Sequence, residues 1–402
     1  MKLRNAIGID PDSKGFYCSL VRIGDSKSES MSFLATADGL QKFILWVRKQ
    51  DDVIVGIEGC NGQSKPIEKI LRKEGIVFYS FKPSDVAKFR KAVLGQNKNN
   101  KRDAESVARY AMALESQCKL ASYKRVWFPD EELQYLTRSY AQKTKACTSE
   151  INRLWKLIRI ASVDLYLALG GRNNDVGINE NIIKSKGILT LFVNKPDIYE
   201  WRNMSEIDLV INMGGEKYAV RNSIAQDLLK LSRTFSPIRD ALILMIKNTA
   251  MHISILLDQK REIENMLRNV TRENVAVKSL IEIRGISTLT ACKLIAEIIN
   301  IRRFLRDDSL ACYSGLGMKQ HGTGDYDKDV PYSFFNARLK DAFMMAAKYF
   351  VKYNPDSHLT GYHRNLLKGG MNKIEARKRV ARGLVRMIFK RLYALPFVNN
   401  ES

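Results

Sequence analysis

Ala6-Ile7-Gly8-Ile9-Asp10, the turn Pro11-Asp12-Ser13-Lys14-Gly15 and a second apolar run from Phe16 to Ile23 decide how this chain is read. Two apolar runs joined by a short Pro/Asp/Ser/Gly segment predict a β-hairpin whose first strand ends on an acid. Further apolar runs at 31–36, at 53–58 and at Ile76-Val77-Phe78-Tyr79-Ser80-Phe81 predict three more strands. Segments 63–74, 85–94 and about 100–116 carry a helical period, with Gly75 and Lys82-Pro83-Ser84 as breaks. Hairpin strands followed by alternating helices and strands predict a mixed α/β sheet over residues 1–120, and a ribonuclease-H-like sheet has that order.

Two further acids fall at telling places. Glu58 ends the run Val53-Ile54-Val55-Gly56-Ile57 and is followed by Gly59. Asn100 and Asp103 are three apart at the start of a helix and share a face. Carboxylates at strand ends and on a facing helix suit hard cations such as Mg²⁺ or Mn²⁺, which prefer oxygen ligands. Two such ions clamp the attacking and leaving oxygens of a phosphodiester. Asp10, Glu58, Asn100 and Asp103 are therefore candidate catalytic residues, with Asp10, Glu58 and Asp103 as metal ligands. Ordinary readings stay open for each. Asp10 suits a turn beside Pro11, Glu58 a surface position, Asn100 a helix cap, and Asp103 a pair with Lys101 or Arg102.

Composition narrows the partners. Hydrophobic residues make up 45% of 402, enough to build real cores. The net charge of +23, from 66 Lys and Arg against 43 acids, favours a polyanion such as nucleic acid. No continuous apolar run reaches bilayer length and no N-terminal leader pattern is present, so no membrane is expected. The six scattered cysteines read as reduced thiols of a cytoplasmic protein. Four histidines offer little for a zinc site.

Beyond residue 120 the texture becomes helical. Apolar residues at 3–4 spacing run from Leu133 to Ile158 and again over about 237–270, predicting a long helical hairpin or coiled coil across 121–277. Segment 170–235 reads as an insertion of short helices. Residues 278–402 read as a helical nucleic-acid-binding domain, with two apolar helices around Arg284-Gly285-Ile286 as a helix-hairpin-helix. Such a turn can offer backbone amides to a phosphate, and Arg284 stands in it; a plain helical hairpin fits the pattern equally. The last helix, about 372–394, carries Lys373, Arg377, Lys378, Arg379, Arg382, Arg386, Lys390 and Arg391. Those cations make nucleic-acid backbone contact the expected role. Long amphipathic helices also suit a homodimer.

These motifs, in this order, resemble the DEDD insertion-sequence transposases that include the Piv-type DNA invertases. The likeness lies in Ile7 to Asp10, in Glu58-Gly59, in Lys98-Asn99-Asn100-Lys101-Arg102-Asp103-Ala104, in Ala311-Cys312-Tyr313-Ser314-Gly315-Leu316 and in Glu375-Ala376-Arg377-Lys378. The resemblance implies a RuvC-like catalytic domain, a guide RNA and a target DNA. Two positions depart from the family pattern. Asn100 stands where an acid is expected, and an amide ligates a cation without supplying charge. Thr323 stands where the family has its nucleophilic serine, and its extra methyl restricts approach; Ser333 is nearby but out of position. The chain is for this reason also similar to the RuvC-bearing Tas proteins of tandem interspaced guide RNA systems, whose C-terminal part is Nop-like. That likeness implies an RNA-guided nuclease without strand exchange. An RNA-guided recombinase and a non-enzymatic RNA- or DNA-binding scaffold are the alternatives.

Overall fold

The computed structural model describes residues 3–59, 62–93, 95, 99–124, 127–170, 182–215, 222–323, 326–331 and 335–396, with backbone only at 182, 222–224, 318–323 and 326–331. Lys98, Gly171 and Ser333 lie outside the described residues. The chain divides into two compact units, Met1–Phe128 and Pro129–Ser402. The expected boundary near residue 277 falls inside the second.

The first unit is a five-stranded sheet with helices on both faces. Its elements are β1 (Asn5–Pro11), β2 (Gly15–Val21), β3 (Glu29–Leu34), α1 (Ala37–Arg48), β4 (Val53–Glu58), α2 (Lys65–Lys73), β5 (Phe78–Phe81), α3 (Pro83–Val93) and α4 (Asn100–Ser116). The spatial order is β3-β2-β1-β4-β5. β1, β2 and β3 pair antiparallel, while β4 and β5 run parallel to β1. That is the ribonuclease-H-like, RuvC-like order. Alternation along the strands separates the two faces. Ile7, Ile9, Val55 and Ile57 pack under α1 and α2, whereas Ala6 and Ile54 pack under α4. Helix α1 is a correction, because the sequence reading passed directly from the run at 31–36 to that at 53–58. Thr36 caps α1 by accepting from Gly39 N at 3.2 Å, and Phe43, Ile44 and Val47 bury its inner face.

The second unit is almost wholly helical. Helix α5 (Glu131–Ala161) is followed by α6 (Val163–Ala168), α7 (Lys186–Asn194), α8 (Glu206–Asn212), α9 (Asn222–Ser232) and α10 (Asp240–Val270). Then come α11 (Val275–Ile281), α12 (Thr288–Ile298), α13 (Asp307–Tyr313), the hairpin strands β6 (Met318–Thr323) and β7 (Tyr326–Pro331), α14 (Ala337–Tyr353), α15 (His358–Lys368) and α16 (Lys373–Tyr393). Helices α5 and α10 form the expected antiparallel pair. The Tyr140 hydroxyl donates to Glu264 at 2.7 Å, and Glu150 meets His252 at 3.6 Å, so residue numbers rise on one helix as they fall on the other. Helices α6–α9 share a core with the far half of this pair. Leu133, Tyr140, Ile263 and Leu267, at its near end, enter the core of the C-terminal helices. The β6–β7 hairpin was not foreseen.

By length and composition helix α10 is apolar enough to cross a membrane, although Lys247, Asn248 and His252 interrupt its apolar stretch. Ile246, Ala250, Ile253 and Leu256 bury one face of it in the core shared with α5.

One polar node ties α5 to the C-terminal helices. Glu297 on α12 is 4% exposed and accepts from Arg138 of α5 at 2.9 and 3.2 Å and from Asn336 Nδ2 at 2.8 Å. Asn336 also caps α14 by accepting from Leu339 N at 3.1 Å. Burial by itself pushes the Glu297 pKa up, but the Arg138 and Asn336 donors outweigh it and hold the carboxyl below its ordinary value. A lowered folded-state pKa contributes stability above the unfolded value of about 4.3, and that contribution is lost as pH falls through the folded value. Glu297→Gln is expected to remove this acid-sensitive component and to cost roughly 1.5–3 kcal/mol at neutral pH. Urea unfolding of both proteins from about pH 3 to pH 7 checks it; parallel stability–pH curves would count against the node.

Candidate active site

Gly8 and Gly56 set the geometry of the acidic corner. They lie side by side in the β1–β4 ladder. A Cβ on Gly8 would come to 2.0 Å from Ala104 O and 2.3 Å from Ala108 N, and one on Gly56 to 2.7 Å from Phe81 Cε2. The missing side chains let α4 lie directly on the strand backbone, with Ala104, Ala108 and Ala111 fully buried beneath it.

The direction of α4 follows from its two ends. Glu115 accepts from the backbone N of Arg4 at 3.1 Å and from its Nε at 2.7 Å, fixing the C-terminal end of α4 to the start of β1. Lys101 O accepts from Ser19 Oγ at 3.2 Å, and Ser19 pairs with Gly8. Helix α4 therefore runs against β1, and its first turn lies toward the C-terminal ends of β1 and β4. Asp10 lies two residues beyond Gly8 and Glu58 two beyond Gly56, both on the face covered by α4. Asp103, Asp10 and Glu58 therefore lie toward the same end of the α4-covered face, with Asp10 and Glu58 half-buried and Asp103 buried.

They share an end of that face but not a single point. Asp103 Oδ1 accepts from Arg90 Nη1 of α3 at 2.8 Å, and the two side chains are only 12% and 9% exposed. The sequence offered Lys101 or Arg102 as partner; the pair is made by Arg90 instead. Asn100 is the exposed first residue of α4, and the cap is Asn99, which accepts from Arg102 N at 2.8 Å. Among the described residues no group of three or more His, Cys, Asp or Glu is close enough to hold a metal ion. This arrangement does not fit a two-ion centre. A third carboxylate is engaged by a guanidinium, and the fourth position is a neutral amide.

Thr323 ends β6 in the second unit, opposite Tyr326, and only its backbone is described. The Gly-Ile hairpin is real: Gly285 has φ +94° between α11 and α12, and Arg284 is exposed beside it. Helix α16 is basic, yet several of its cations already have acidic partners. Arg386 meets Asp307 at 3.0 Å, Arg382 meets Asp308 at 3.7 Å, and Lys378 and Arg391 pair with Glu375 and Glu282. The Arg386 hydrogen bond holds the Asp307 carboxyl below its usual range. Lys373, Arg379 and Lys390 are exposed, and Arg377 is half-buried. The free positive face of α16 is narrower than its sequence suggests.

A ribonuclease-H-like sheet with acids at two neighbouring strand ends and a third on the covering helix defines a nuclease or recombinase scaffold. Residues 7–162 match a family model for DEDD transposases of the IS110 type, described as Transposase. Residues 277–362 match the model described as Transposase IS116/IS110/IS902 family. The chain belongs to the IS110-type DEDD transposases. No curated protein matches it. Among solved structures, T. thermophilus RuvC in complex with Holliday junction substrate aligns over 31% of this chain and 99% of that one, at 12% identity and a TM-score of 0.23.

Proposed function

We propose that this protein cleaves DNA phosphodiesters under the direction of a guide RNA, at the corner formed by Asp10, Glu58 and Asp103. The observation that carries the reading is the course of α4, which brings Asp103 to the strand ends bearing Asp10 and Glu58. The basic excess of the chain supports a nucleic-acid partner. In this reading the protein works in the cytoplasm. A second copy would cover the exposed apolar residues Leu244, Met251 and Ile255 of α10.

Full cation affinity at the corner needs Asp103 to leave Arg90 and an acid at position 100, so in this chain Asn100 holds cleavage low or abolishes it. Asn100→Asp is therefore expected to raise cleavage of guide-matched DNA in Mg²⁺ or Mn²⁺ by roughly tenfold, since added ligand charge raises affinity for hard cations. Removal of the metal with a chelator should return cleavage to background. Equal cleavage by both proteins, or cleavage indifferent to chelator, would place the chemistry elsewhere.

The family match over 277–362 includes Thr323 and favours a second reading, an RNA-guided recombinase that links itself to DNA. Attack by a threonine hydroxyl leaves a covalent protein–DNA bond, whereas attack by water leaves free ends. In our reading no adduct forms, and Thr323→Ala leaves cleavage by the Asn100→Asp protein little changed. Denaturing gels of end-labelled DNA distinguish the two. A slow-migrating adduct that disappears in Thr323→Ala would establish the recombinase.

A further inference from the structure

Helix α14 presents an exposed face to solvent. Its inner side buries Leu339, Ala342, Phe343, Ala346, Ala347 and Phe350. Its outer side carries Tyr349 and Tyr353, 36% and 51% exposed, with ring centroids 6.3 Å apart and planes inclined by only 19°. Lys348 and Lys352 ride beside them, each Nζ 5.5 Å from the ring of its neighbouring tyrosine.

The Gly-Ile hairpin closes one edge of this face. A Cβ on Gly285 would come to 2.8 Å from Phe350 N and Cα, so the turn sits on the α14 backbone at the level of Tyr349. Asn354 Nδ2 donates to Arg284 O at 2.8 Å, which fixes the Arg284 backbone next to Tyr353. Lys348, Lys352 and Arg284 have no acidic partner among the described residues, unlike Arg382 and Arg386 of α16. Asp341 and Asp356 are the exposed acids closest along the chain to the two lysines, and exposed Glu282, two residues before Arg284, pairs with Arg391.

We infer that Tyr349 and Tyr353, with Lys348, Lys352 and Arg284, form a stacking platform for unpaired bases of an RNA loop. Parallel exposed rings flanked by cations match what a single strand offers, π-faces along a phosphate backbone. Duplex DNA keeps its base faces inside the stack and must be opened to expose them. A folded RNA offers loop bases already unstacked, which favours RNA as the occupant. The inference rests on the guide-RNA reading and adds the surface on which that RNA is held.

The test uses full-length protein freed of nucleic acid at high salt and a short fluorescent oligouridylate. Tyr349→Ala and Tyr353→Ala should each weaken binding about fivefold or more, and the phenylalanine variants should retain it. Lys348→Gln with Lys352→Gln should flatten the salt dependence. Both tyrosines are exposed, so unfolding temperatures should not change. Unchanged affinity in the double alanine protein overturns the platform, as does tighter binding of oligothymidylate or duplex DNA than of oligouridylate. RNA copurified with the unmodified protein separates the two ideas. A discrete RNA held equally well by the double alanine variant defeats the platform alone. Random fragments, together with tyrosine-dependent oligouridylate binding, defeat only the guide.

Discussion

In protein carrying Asn100→Asp, replacing Asp10 or Glu58 with alanine will lower DNA cleavage by about a hundredfold to a thousandfold, the usual effect of losing one preorganised charge-stabilising group. Both acids stand on the α4 face at neighbouring strand ends, so either loss leaves the corner one carboxylate short. Both side chains are half-buried at strand ends, so the folding of each variant is measured beside its activity. Cleavage of guide-matched DNA, scored beside the unfolding curve of each variant, gives the answer. Cleavage undiminished in a folded Asp10→Ala protein would remove the acidic corner from the chemistry.

Gly8→Ala is expected to be nearly as damaging, by a different route. The added methyl would meet a backbone oxygen at 2.0 Å, and neither strand nor helix backbone can swing aside as a flexible side chain would. Helix α4 must lift, loosening Val107, Ala108 and Ala111 from the sheet. Overpacking of this kind costs about 1–3 kcal/mol. A shift of about 1 Å in Asp103 relative to Asp10 and Glu58 is enough to lose about a hundredfold in rate. Gly361→Ala is the control, because a Cβ there meets nothing within 4 Å. It lies inside a helix, where alanine is favoured by roughly 0.5–1 kcal/mol. Calorimetry should show a lower transition for Gly8→Ala and an equal or higher one for Gly361→Ala. Equal transitions in both would mean that α4 does not rest on β1 as described.

What the sequence revealed, and what it hid, follows from how far apart the interacting residues lie. The runs ending at Asp10 and Glu58 stood out because β1 and β4 are buried on both faces and so read as continuous apolar stretches. The antiparallel α5–α10 pair was legible from the period of its apolar residues. Helix α1 was hidden although Phe43, Ile44 and Val47 keep helical spacing, because Phe43-Ile44-Leu45-Trp46-Val47 is a continuous apolar run that a helix and a buried strand share. The β6–β7 hairpin is polar and short, with no alternating apolar pattern to mark it.

Partners are harder still. Arg90 meets Asp103 only because α3 and α4 pack together, and no local rule selects it over Lys101 or Arg102. Asp307 and Asp308 lie more than seventy positions before the α16 arginines they neutralise. Tyr349 and Tyr353 carry no local signal of exposure, because aromatic residues at helical spacing usually face a core. Their exposure is set by which side of α14 the hairpin at Gly285 covers.

Helices α5 and α10 together make a ruler. Each has 31 residues, so at about 1.5 Å per residue the pair spans about 46 Å. One end is set in the C-terminal core and the other in the cluster of short helices from α6 to α9. The length of the hairpin therefore fixes how far apart those two bodies stand, and its helical phase fixes which way they face. Removing about seven residues from each helix, two turns, shortens the span by about 10 Å and nearly restores the original facing. Removing about five rotates the outer cluster by more than a quarter turn. The bodies at its two ends are held apart by arithmetic in the chain.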